Sequence, residues 1–168
     1  MKYLVTGGAG FIGSHIVHKL LAQGDSVRVL DNFSTGKREN LEDLTQQLSG
    51  KRFEIIDADL RDATRVEEAV RGVEVIFHEA AFVSVPQSME EPQACFDVNI
   101  TGTSRLLDTA RAAGVRRVVL ASSAAIYGES DTLPLVEETL PQPLSPYAVS
   151  KRVKEMYAEL FTGSFGLE

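Results

Sequence analysis

A glycine-rich turn near the start of the chain restricts the possible folds more than any other feature. Residues 6–13 run Thr-Gly-Gly-Ala-Gly-Phe-Ile-Gly, with a spaced set at Gly7, Gly10 and Gly13. A short apolar segment precedes the turn, and residues 11–23 carry apolar side chains at helical spacing after it. Glycines at this spacing allow a tight turn and let a helix pack closely against the strand before it. The pattern therefore predicts a strand, a turn and a helix that open a parallel sheet.

The remaining chain alternates between short apolar segments and longer amphipathic segments. This alternation is typical of a parallel sheet with helices on its faces. We expect one α/β domain over residues 1–168, a doubly wound Rossmann-type parallel sheet of strand order 3-2-1-4-5 with flanking helices. The strands are predicted at residues 2–6, 26–30, 53–57, 73–77 and 117–121. The helices are predicted at residues 11–23, 39–48, 63–70, 92–113 and 147–161, with irregular segments at 79–89 and 122–146.

Composition and charge argue against several classes of protein. The 168 residues include 24 acidic and 17 basic side chains, a formal net charge of −7 at pH 7. A protein that binds nucleic acid normally presents a basic face, so we expect no nucleic-acid partner. No apolar run approaches the roughly 18 residues of a membrane span, and the first residues lack the apolar core of a signal peptide. The one cysteine, Cys95, can form no internal disulfide, and we expect a cytoplasmic protein with no membrane partner.

The glycine turn also indicates a dinucleotide site. Its backbone can approach a pyrophosphate closely, and the following helix offers free N–H groups and a positive dipole to the phosphates. Asp31 closes the second strand, 18 residues after Gly13, where an acid can accept hydrogen bonds from the adenosine ribose. A carboxylate there repels a 2′-phosphate, which favours NAD over NADP as the cofactor. Three basic residues lie nearby in the sequence, Arg28, Lys37 and Arg38. The alternative that one of them accommodates the phosphate of NADP therefore stays open.

A second group of residues has the chemistry of an acid/base site. Tyr147 and Lys151 are four residues apart, so a helix places them one turn apart on the same face. Tyrosine, with an ordinary pKa of about 10, is a poor base at neutral pH. A neighbouring ammonium group favours the phenolate, which can then take a proton from a substrate hydroxyl. Ser123, at the end of the fifth strand, can hydrogen-bond the reacting oxygen. The alternative is that Tyr147 and Lys151 are ordinary helix-surface residues.

Several motifs in order make the chain resemble the extended short-chain dehydrogenase/reductase family. Within that family it is most similar to the NAD-dependent sugar-nucleotide epimerases that act on UDP-hexoses. The resemblance rests on the glycine turn and on seven further motifs along residues 1–168. They are Asp31-Asn32-Phe33-Ser34-Thr35-Gly36, Asp59-Leu60-Arg61-Asp62, His78-Glu79-Ala80-Ala81, Asn99-Ile100-Thr101-Gly102-Thr103, Ser122-Ser123-Ala124-Ala125-Ile126-Tyr127-Gly128, Ser145-Pro146-Tyr147 and Tyr147-Ala148-Val149-Ser150-Lys151.

The resemblance implies contacts to NAD at many positions. Phe11 and Ile12 would contribute backbone groups at the pyrophosphate, and Asp59 and Leu60 would meet the adenine. Lys151 would also hold the nicotinamide ribose, beside the catalytic Tyr147. Asn99 is open to two interpretations, a cofactor contact or a buried asparagine that joins two elements. The other implied cofactor positions are Asn32, Ser34, Thr35 and Gly36 around the adenosine ribose and pyrophosphate, and Ala80, Ala81 and Val83 on the nicotinamide side.

The residues after the fifth strand bear on the reaction. Dehydratases of the family carry an Asp-Glu pair there, because elimination of water needs an extra acid and base. This chain has Ala124 and Ala125, which can neither donate nor accept a proton. The resemblance therefore implies a 4-epimerase that works by transient oxidation at the sugar C4. The alternatives are another NAD-linked sugar-nucleotide oxidoreductase, or a dinucleotide-binding module with little or no turnover.

Length and surface pattern complete the expectations. Family members are considerably longer, so the C-terminal region that grips the substrate nucleotide is expected to lie outside this sequence and turnover to be weak. Residues 165–168 resemble the approach to a sixth strand.

No metal site is expected, and His78 and Cys95 are expected to be packed in the interior or at an interface. A homodimer is expected through helices 92–113 and 147–161, by way of Cys95, Phe96, Ile100, Leu107, Val153, Met156, Tyr157 and Leu160.

Overall fold

The computed structural model describes residues 1–48, 50, 52–130 and 133–168, so positions 131 and 132 of the predicted irregular segment lie outside the described residues. One sheet of five parallel strands has the order β3-β2-β1-β4-β5. The predicted α/β class and strand order are confirmed. The strands are β1 Lys2–Thr6, β2 Ser26–Asp31, β3 Phe53–Asp57, β4 Val75–His78 and β5 Arg117–Leu120.

Helices cover both faces of this sheet. Short 3₁₀ segments occur at Arg38–Leu41 and Ala124–Tyr127, and a π-helical segment occurs at Asp97–Gly102. No helix in the described part of the chain has both the length and the apolar character needed to cross a bilayer. The α-helices are α1 Phe11–Ala22, α2 Glu42–Leu48, α3 Ala63–Val70, α4 Val85–Glu90, α5 Pro92–Phe96, α6 Thr103–Ala112 and α7 Pro146–Phe165.

Two apolar layers sandwich the sheet. Successive side chains of a strand point to opposite faces, so Leu4 and Val5 of β1 enter different layers and both are fully buried. Leu4 packs in the layer that contains Leu106 and Phe161, and Val5 in the layer that contains Val17 of α1. Burial on both faces explains the apolar runs at residues 3–5 of β1 and 75–77 of β4. Because all the strands are parallel, the carboxyl ends of β1, β2, β4 and β5 lie at one edge of the sheet.

Helix α4 forms where the sequence predicts an irregular segment. The Ser84 side chain accepts a hydrogen bond from the N–H of Gln87 at 3.2 Å and so caps the first turn. Pro86 lies in that first turn, where its missing N–H and fixed φ cost nothing. Serine before a first-turn proline is a helix-start signal. The start signal is thus present in the sequence, at the head of a helix of only six residues.

The predicted helix at residues 92–113 is interrupted by the π-helical segment. Helix α5 ends at Phe96 and α6 begins at Thr103, and the segment between them carries Asn99. Gly102 lies against the core at this point, because a Cβ there would come within 2.9 Å of Leu60 Cδ2. The predicted single helix is therefore two α-helices joined by a wider turn.

Helix α7 is longer than predicted. It ends at Phe165 instead of residue 161, and Gly166 closes it with a positive φ of 70°. Glycine 163 weakens the intrinsic helix preference of this last turn. The extension is supported instead by the Phe165 ring, 5.1 Å from the Phe161 ring centroid. Beyond it, the N–H of Glu168 donates to Arg116 O at 3.2 Å and its carbonyl accepts from Val118 at 2.7 Å, as expected for a residue that pairs with β5.

The surface expected to form the dimer is only partly exposed. Cys95 and Leu107 are 0% and 1% exposed, so their assignment to that surface is wrong, because both face the core. Met156 and Leu160 are exposed at 54% and 51%. The other four residues are half-buried. The homodimer itself stays a prediction.

Candidate cofactor and catalytic site

The glycine turn leaves no room for side chains. Gly7 has a φ of 69°, and a Cβ there would lie 2.6 Å from the backbone nitrogen of Ala80. A Cβ on Gly13 would lie 2.2 Å from the carbonyl oxygen of Gly7. The turn is thus packed backbone to backbone between β1, β4 and α1, as the sequence predicts.

The start of α1 is open to a ligand. Gly10 is the N-cap and offers no side chain, so the first-turn N–H groups have no side-chain acceptor. The side chains of Phe11 and Ile12 are 80% and 61% exposed, which leaves the backbone beneath them approachable. No acidic residue occupies the first turn. The positive end of the helix dipole is therefore available to an anion such as a pyrophosphate.

Asp31 is held rigidly at the carboxyl end of β2. It is 8% exposed, and its Oδ2 accepts a hydrogen bond from the N–H of Ala9 at 2.9 Å. Its Oδ1 accepts from the N–H of Phe33 at 2.8 Å, a residue with the uncommon positive φ of 55°. Each carboxylate oxygen retains capacity for another donor. Asp31 thus links the glycine turn to the loop at residues 32–36 and can still accept a ribose hydroxyl.

A second acid, Asp59, lies beside that loop and is already engaged. Asn32 Nδ2 donates to its Oδ2 at 2.8 Å, and the Arg61 guanidinium binds both carboxylate oxygens at 2.8 and 2.9 Å. The hydrogen bond from Arg61, aided by Asn32 and opposed by burial, lowers the pKa of Asp59 to about 2. The structure brings Asn32, Asp59 and Arg61 together, a contact that was not predicted from the sequence. Leu60 is 5% exposed, so only its backbone could meet an adenine.

The other predicted adenosine-side positions lie in the same loop. Ser34 and Thr35 are exposed, and the N–H of Ser34 donates to Asn32 Oδ1 at 3.1 Å. Gly36 packs tightly against Asp31, since a Cβ there would lie 3.1 Å from Asp31 Oδ1. On the nicotinamide side, Ala80 and Ala81 are half-buried, and Val83 is 57% exposed.

The basic residues near Asp31 are mostly committed elsewhere. Arg28 is 8% exposed, and its Nε binds Glu54 Oε2 at 2.9 Å. Its Nη1 also caps the end of α3 by donating to the carbonyls of residues 68, 69 and 71. Arg28 is therefore unavailable as a phosphate ligand. Arg38 is paired with Asp57 and lies over the Phe33 ring, 3.8 Å from its centroid, while Lys37 is exposed.

Tyr147 and Lys151 are brought together at the start of α7. Ser145 caps the helix through a 3.1 Å hydrogen bond from the N–H of Ala148. Lys151 Nζ lies 5.6 Å from the centroid of the Tyr147 ring and donates to the carbonyl of Ala121 at 3.0 Å. Lys151 is 3% exposed, and burial lowers its pKa below the ordinary value while Glu79 and Cys95 raise it. The pair is therefore not an ordinary helix surface, because its lysine is buried against the end of β5.

Ser123 follows β5 by three residues. Its Oγ accepts a hydrogen bond from the N–H of Ala125 at 3.2 Å and caps the 3₁₀ segment at Ala124–Tyr127. The side chain is half-buried. Since Lys151 binds the carbonyl of Ala121, Ser123 lies two residues from the point where α7 is fixed to the sheet.

Buried polar contacts that the sequence analysis missed support Tyr147. Ser88, fully buried, accepts the N–H of Tyr147 at 3.2 Å, and Ser150 Oγ donates to the Tyr147 carbonyl at 2.7 Å. Asn99 is also fully buried, and its amide nitrogen donates to Ser150 Oγ at 2.9 Å and to Phe82 O at 3.0 Å. Its amide oxygen accepts the N–H of Phe82 at 2.8 Å. These bonds favour the interpretation of Asn99 as a link between elements.

His78 is a packed histidine, as expected. Its ring nitrogens lie 2.7 Å from Thr6 Oγ1 and 2.9 Å from Thr103 Oγ1, and the side chain is fully buried. Burial, with smaller contributions from Lys154 and Lys151, holds its pKa well below the ordinary value. Within the described ranges, no group of three His, Cys, Asp or Glu side chains is placed to hold a metal ion.

The sheet order, the glycine turn and the buried acid at the end of β2 define a dinucleotide-binding domain of the Rossmann class. The family model described as GDP-mannose 4,6 dehydratase matches residues 4–168, and the chain belongs to this family. The family-level resemblance is thereby confirmed.

Individual relatives include enzymes named for two reactions. A putative UDP-glucose 4-epimerase of Methanocaldococcus jannaschii is 41% identical over 98% of this chain and 52% of that protein. The structure of Thermus thermophilus UDP-glucose 4-epimerase in complex with NAD superposes with a TM-score of 0.89 at 46% identity, over 100% of this chain and 53% of that one. The structure of Streptomyces venezuelae dTDP-glucose 4,6-dehydratase, with NAD and TYD bound, superposes with a TM-score of 0.92 at 38% identity, over 99% of this chain and 53% of that one. The chain thus spans about half the length of these relatives.

Proposed function

We propose that this chain binds NAD and carries the catalytic residues of a nucleotide-sugar 4-epimerase, with Tyr147 as the acid and base. The observation that carries the proposal is the buried Lys151 ammonium, 5.6 Å from the Tyr147 ring and fixed to the end of β5. The relatives named UDP-glucose 4-epimerase support a UDP-hexose as the substrate class.

The residues at the glycine turn fit NAD. A pyrophosphate would lie on the first-turn N–H groups of α1, where Gly7, Gly10 and Gly13 leave the backbone bare. Asp31 would accept a hydroxyl of the adenosine ribose, and its charge disfavours the 2′-phosphate of NADP. When bound, NAD supplies an acceptor for the hydride of a sugar carbon and a donor that returns it.

The protein residues handle the proton in this scheme. Tyr147, as phenolate, takes the proton of the sugar hydroxyl and later gives it back. Lys151 stabilises the phenolate by its charge, and its hydrogen bond to Ala121 holds the ammonium in place. Ser123 donates to the same sugar oxygen and orients it. The Ser88 and Ser150 bonds to the Tyr147 backbone fix the start of the helix that carries the base.

Dehydration is the second candidate, because a dTDP-glucose 4,6-dehydratase is among the structural relatives. Elimination needs an acid and a base beyond the tyrosine. Ala124 and Ala125 occupy the 3₁₀ segment directly after Ser123, and their methyl groups cannot transfer protons. Epimerisation needs only the groups present, so it is the preferred reaction.

The decisive experiment compares Tyr147→Phe with the parent chain. We expect NAD affinity to change little, because the ring keeps its packing, and conversion of UDP-galactose to UDP-glucose to fall by about a hundredfold to ten-thousandfold. Tyr157→Phe is the matched control, since it removes the hydroxyl of another half-buried tyrosine of the same helix. Calorimetry gives the NAD affinity, and a coupled assay gives the conversion.

The parent chain is expected to retain NAD binding better than turnover. Contacts to the substrate nucleotide place the sugar in a complete enzyme, and misplacement by about an ångström can cost roughly a hundredfold in rate. Conversion that survives Tyr147→Phe would refute Tyr147 as the base. A parent chain that binds NAD but converts no UDP-galactose over long incubation would favour the non-catalytic binding module.

A further inference from the structure

Lys154 is buried in a way that its neighbours do not explain. Its side chain is 1% exposed, and it is the largest of the fully buried side chains. Among the described residues, its Nζ is the buried side-chain nitrogen or oxygen atom that has no hydrogen-bond partner. An unpaired ammonium group in the interior is strongly unfavourable, so such a lysine is driven towards its neutral form.

The charged and titratable groups around Lys154 come from three elements. From α7 itself come Lys151, one turn away, and Glu155, which is already bonded to Ser122 at 2.5 Å and to Arg152 at 2.8 Å. The end of β4 contributes Glu79 and the neutral His78. Cys95, from α5, is near Lys151.

The end of β5 contributes uncharged groups to the surroundings of Lys154. Leu120, Ala121 and Ser122 line a cavity of about 290 Å³ together with Lys154 and two acids of α7, Glu155 and Glu159. Glu159 is exposed and lies 3.8 Å from the Arg152 guanidinium. Glu79 is the acid that raises the pKa of both lysines.

Two buried lysines thus share one half-buried carboxylate. Lys151 has an acceptor in the Ala121 carbonyl, whereas Lys154 has none. Two cations one helical turn apart repel each other strongly in a medium of low polarity. When one of the two lysines releases a proton, Lys154 is the favoured one, because its ammonium group has no hydrogen bond to lose. Consistent with this, burial and the charge of Lys151 lower the pKa of Lys154 to about 7, against the opposing effect of Glu79.

We propose that Lys154 is a positioning residue that gives up its proton in place of Lys151 and so keeps the Lys151 ammonium beside Tyr147. Neutral Lys154 removes the repulsion and leaves the Glu79 carboxylate to Lys151 alone. The inference deepens the function proposed for the Tyr147–Lys151 pair and rests on it. The direct effect of Lys154 on Tyr147 is the weaker one, since seven helical residues span about 10 Å and the three to Lys151 about 4.5 Å.

The titration can be observed on the chain itself by NMR of ¹⁵N-lysine-labelled protein. We expect the Lys154 Nζ signal to change with a midpoint near pH 7. The Lys151 signal should remain that of an ammonium group through this range and shift in step with Lys154. Glu79→Gln should move both midpoints to lower pH. A Lys154 that stays charged above pH 9, or a Lys151 signal that does not respond to it, would overturn the proposal.

Two substitutions separate the charge of Lys154 from its bulk. Lys154→Met keeps a long side chain without charge, so the step in the Lys151 signal near pH 7 should disappear. Lys151 should lose its proton at the same pH as in the parent, where Lys154 is already neutral by then. Lys154→Arg keeps a permanent charge, so Lys151 should lose its proton at a pH lower by about one unit or more. If Lys154→Arg does not fold, Glu79→Gln provides the test of the opposite charge.

The activity assay provides the readout for positioning. With NAD and UDP-galactose, the alkaline decline of turnover should move to lower pH in Lys154→Arg. It should stay at the pH of the parent in Lys154→Met, because Lys154 is already neutral there. A structural role alone would scale the rate equally at every pH. Because the NMR titration needs no turnover, an inactive chain with coupled lysines would count against the proposed function and not against the lysine coupling. Turnover with identical pH profiles in all three proteins would refute the positioning role.

Discussion

The two halves of the site differ in how their charges are satisfied. In the proposed cofactor half, formed by the glycine turn, Asp31, the loop at 32–36 and the half-buried Asp59, both acids have backbone or side-chain donors. Asp31 accepts from Ala9 and Phe33, and Asp59 accepts from Asn32 and Arg61. In the catalytic half, formed by α7 and Glu79, two buried lysines share one acid and one of them lacks a partner. The acids of the cofactor half therefore all have hydrogen-bond donors, whereas the catalytic half contains a buried lysine without an acceptor.

That difference predicts opposite signs for substitutions in the two halves. Changes in the cofactor half should remove interactions that are fully formed. Removal of the unpaired charge in the catalytic half should instead stabilise the fold.

The largest effect is expected for Lys154→Met, measured as the free energy of unfolding against pH. The pKa of Lys154 is about 7 in the fold and about 10.5 in the unfolded chain. The unfolded chain therefore binds more protons between these values, so stability rises with pH across that window. Below pH 7 the full penalty applies, at most about 5 kcal/mol for this shift, and it vanishes above pH 10.5.

Lys154→Met should thus be more stable than the parent at pH 6, by up to that amount, and the gap should close as pH approaches 10.5. Urea titrations of both proteins at several pH values give the comparison, and groups that do not interact with Lys154 cancel in the difference. A gap that is the same at every pH would show that shape rather than charge separates the two proteins.

The same division explains which parts of the site the sequence could predict. Gly7 and Gly13 lie in the turn between β1 and α1, and Asp31 is the last residue of β2. These positions depend on local geometry, so the spacing in the sequence predicts them. Lys154 acts through burial against β4 and β5, which are more than thirty residues away in sequence. Ser88 is likewise useful only because α7 begins beside it.

The errors in the predicted fold have the same origin. Cys95 of α5 and Leu107 of α6 lie on opposite sides of a π-helical segment, which breaks the regular helical period between them, so their faces could not be assigned from spacing. The end of α7 was misplaced because ring packing between Phe161 and Phe165 outweighs the weak helix preference of Gly163.

The next largest effect is expected for Gly13→Ala, which tests the packing of the cofactor half. The new methyl group would lie 2.2 Å from the Gly7 carbonyl, so the turn must open. We expect a loss of about 2–4 kcal/mol in stability, in the range of overpacked or strained sites, and a fall of at least about a hundredfold in NAD affinity. Thermal unfolding and calorimetry measure the two quantities.

Gly163→Ala is the matched control for this substitution. A Cβ at Gly163 meets nothing within 4 Å, and the residue lies inside α7. It should stabilise the helix by up to about 1 kcal/mol and leave NAD affinity unchanged. If both alanines behaved alike, the close packing of the glycine turn would not be what preserves the cofactor half.

The smallest of the three effects is expected for Asp31→Asn, which tests cofactor choice. The amide keeps the size of the side chain and one acceptor oxygen but loses the negative charge, so a 2′-phosphate is no longer repelled. The parent should bind NAD more tightly than NADP, and the ratio should fall by about tenfold in the variant, an energy near 1.4 kcal/mol. Asp43→Asn removes the same charge at an exposed position of α2 and should leave the ratio as it is.

Equal affinities for the two cofactors in the parent would contradict the role of Asp31. A ratio that falls equally in both variants would point to net charge instead. Since Arg28 is buried beneath α3, a preference that reverses in Asp31→Asn would indicate that an exposed cation of the neighbouring loop, Lys37 or Arg38, receives the phosphate.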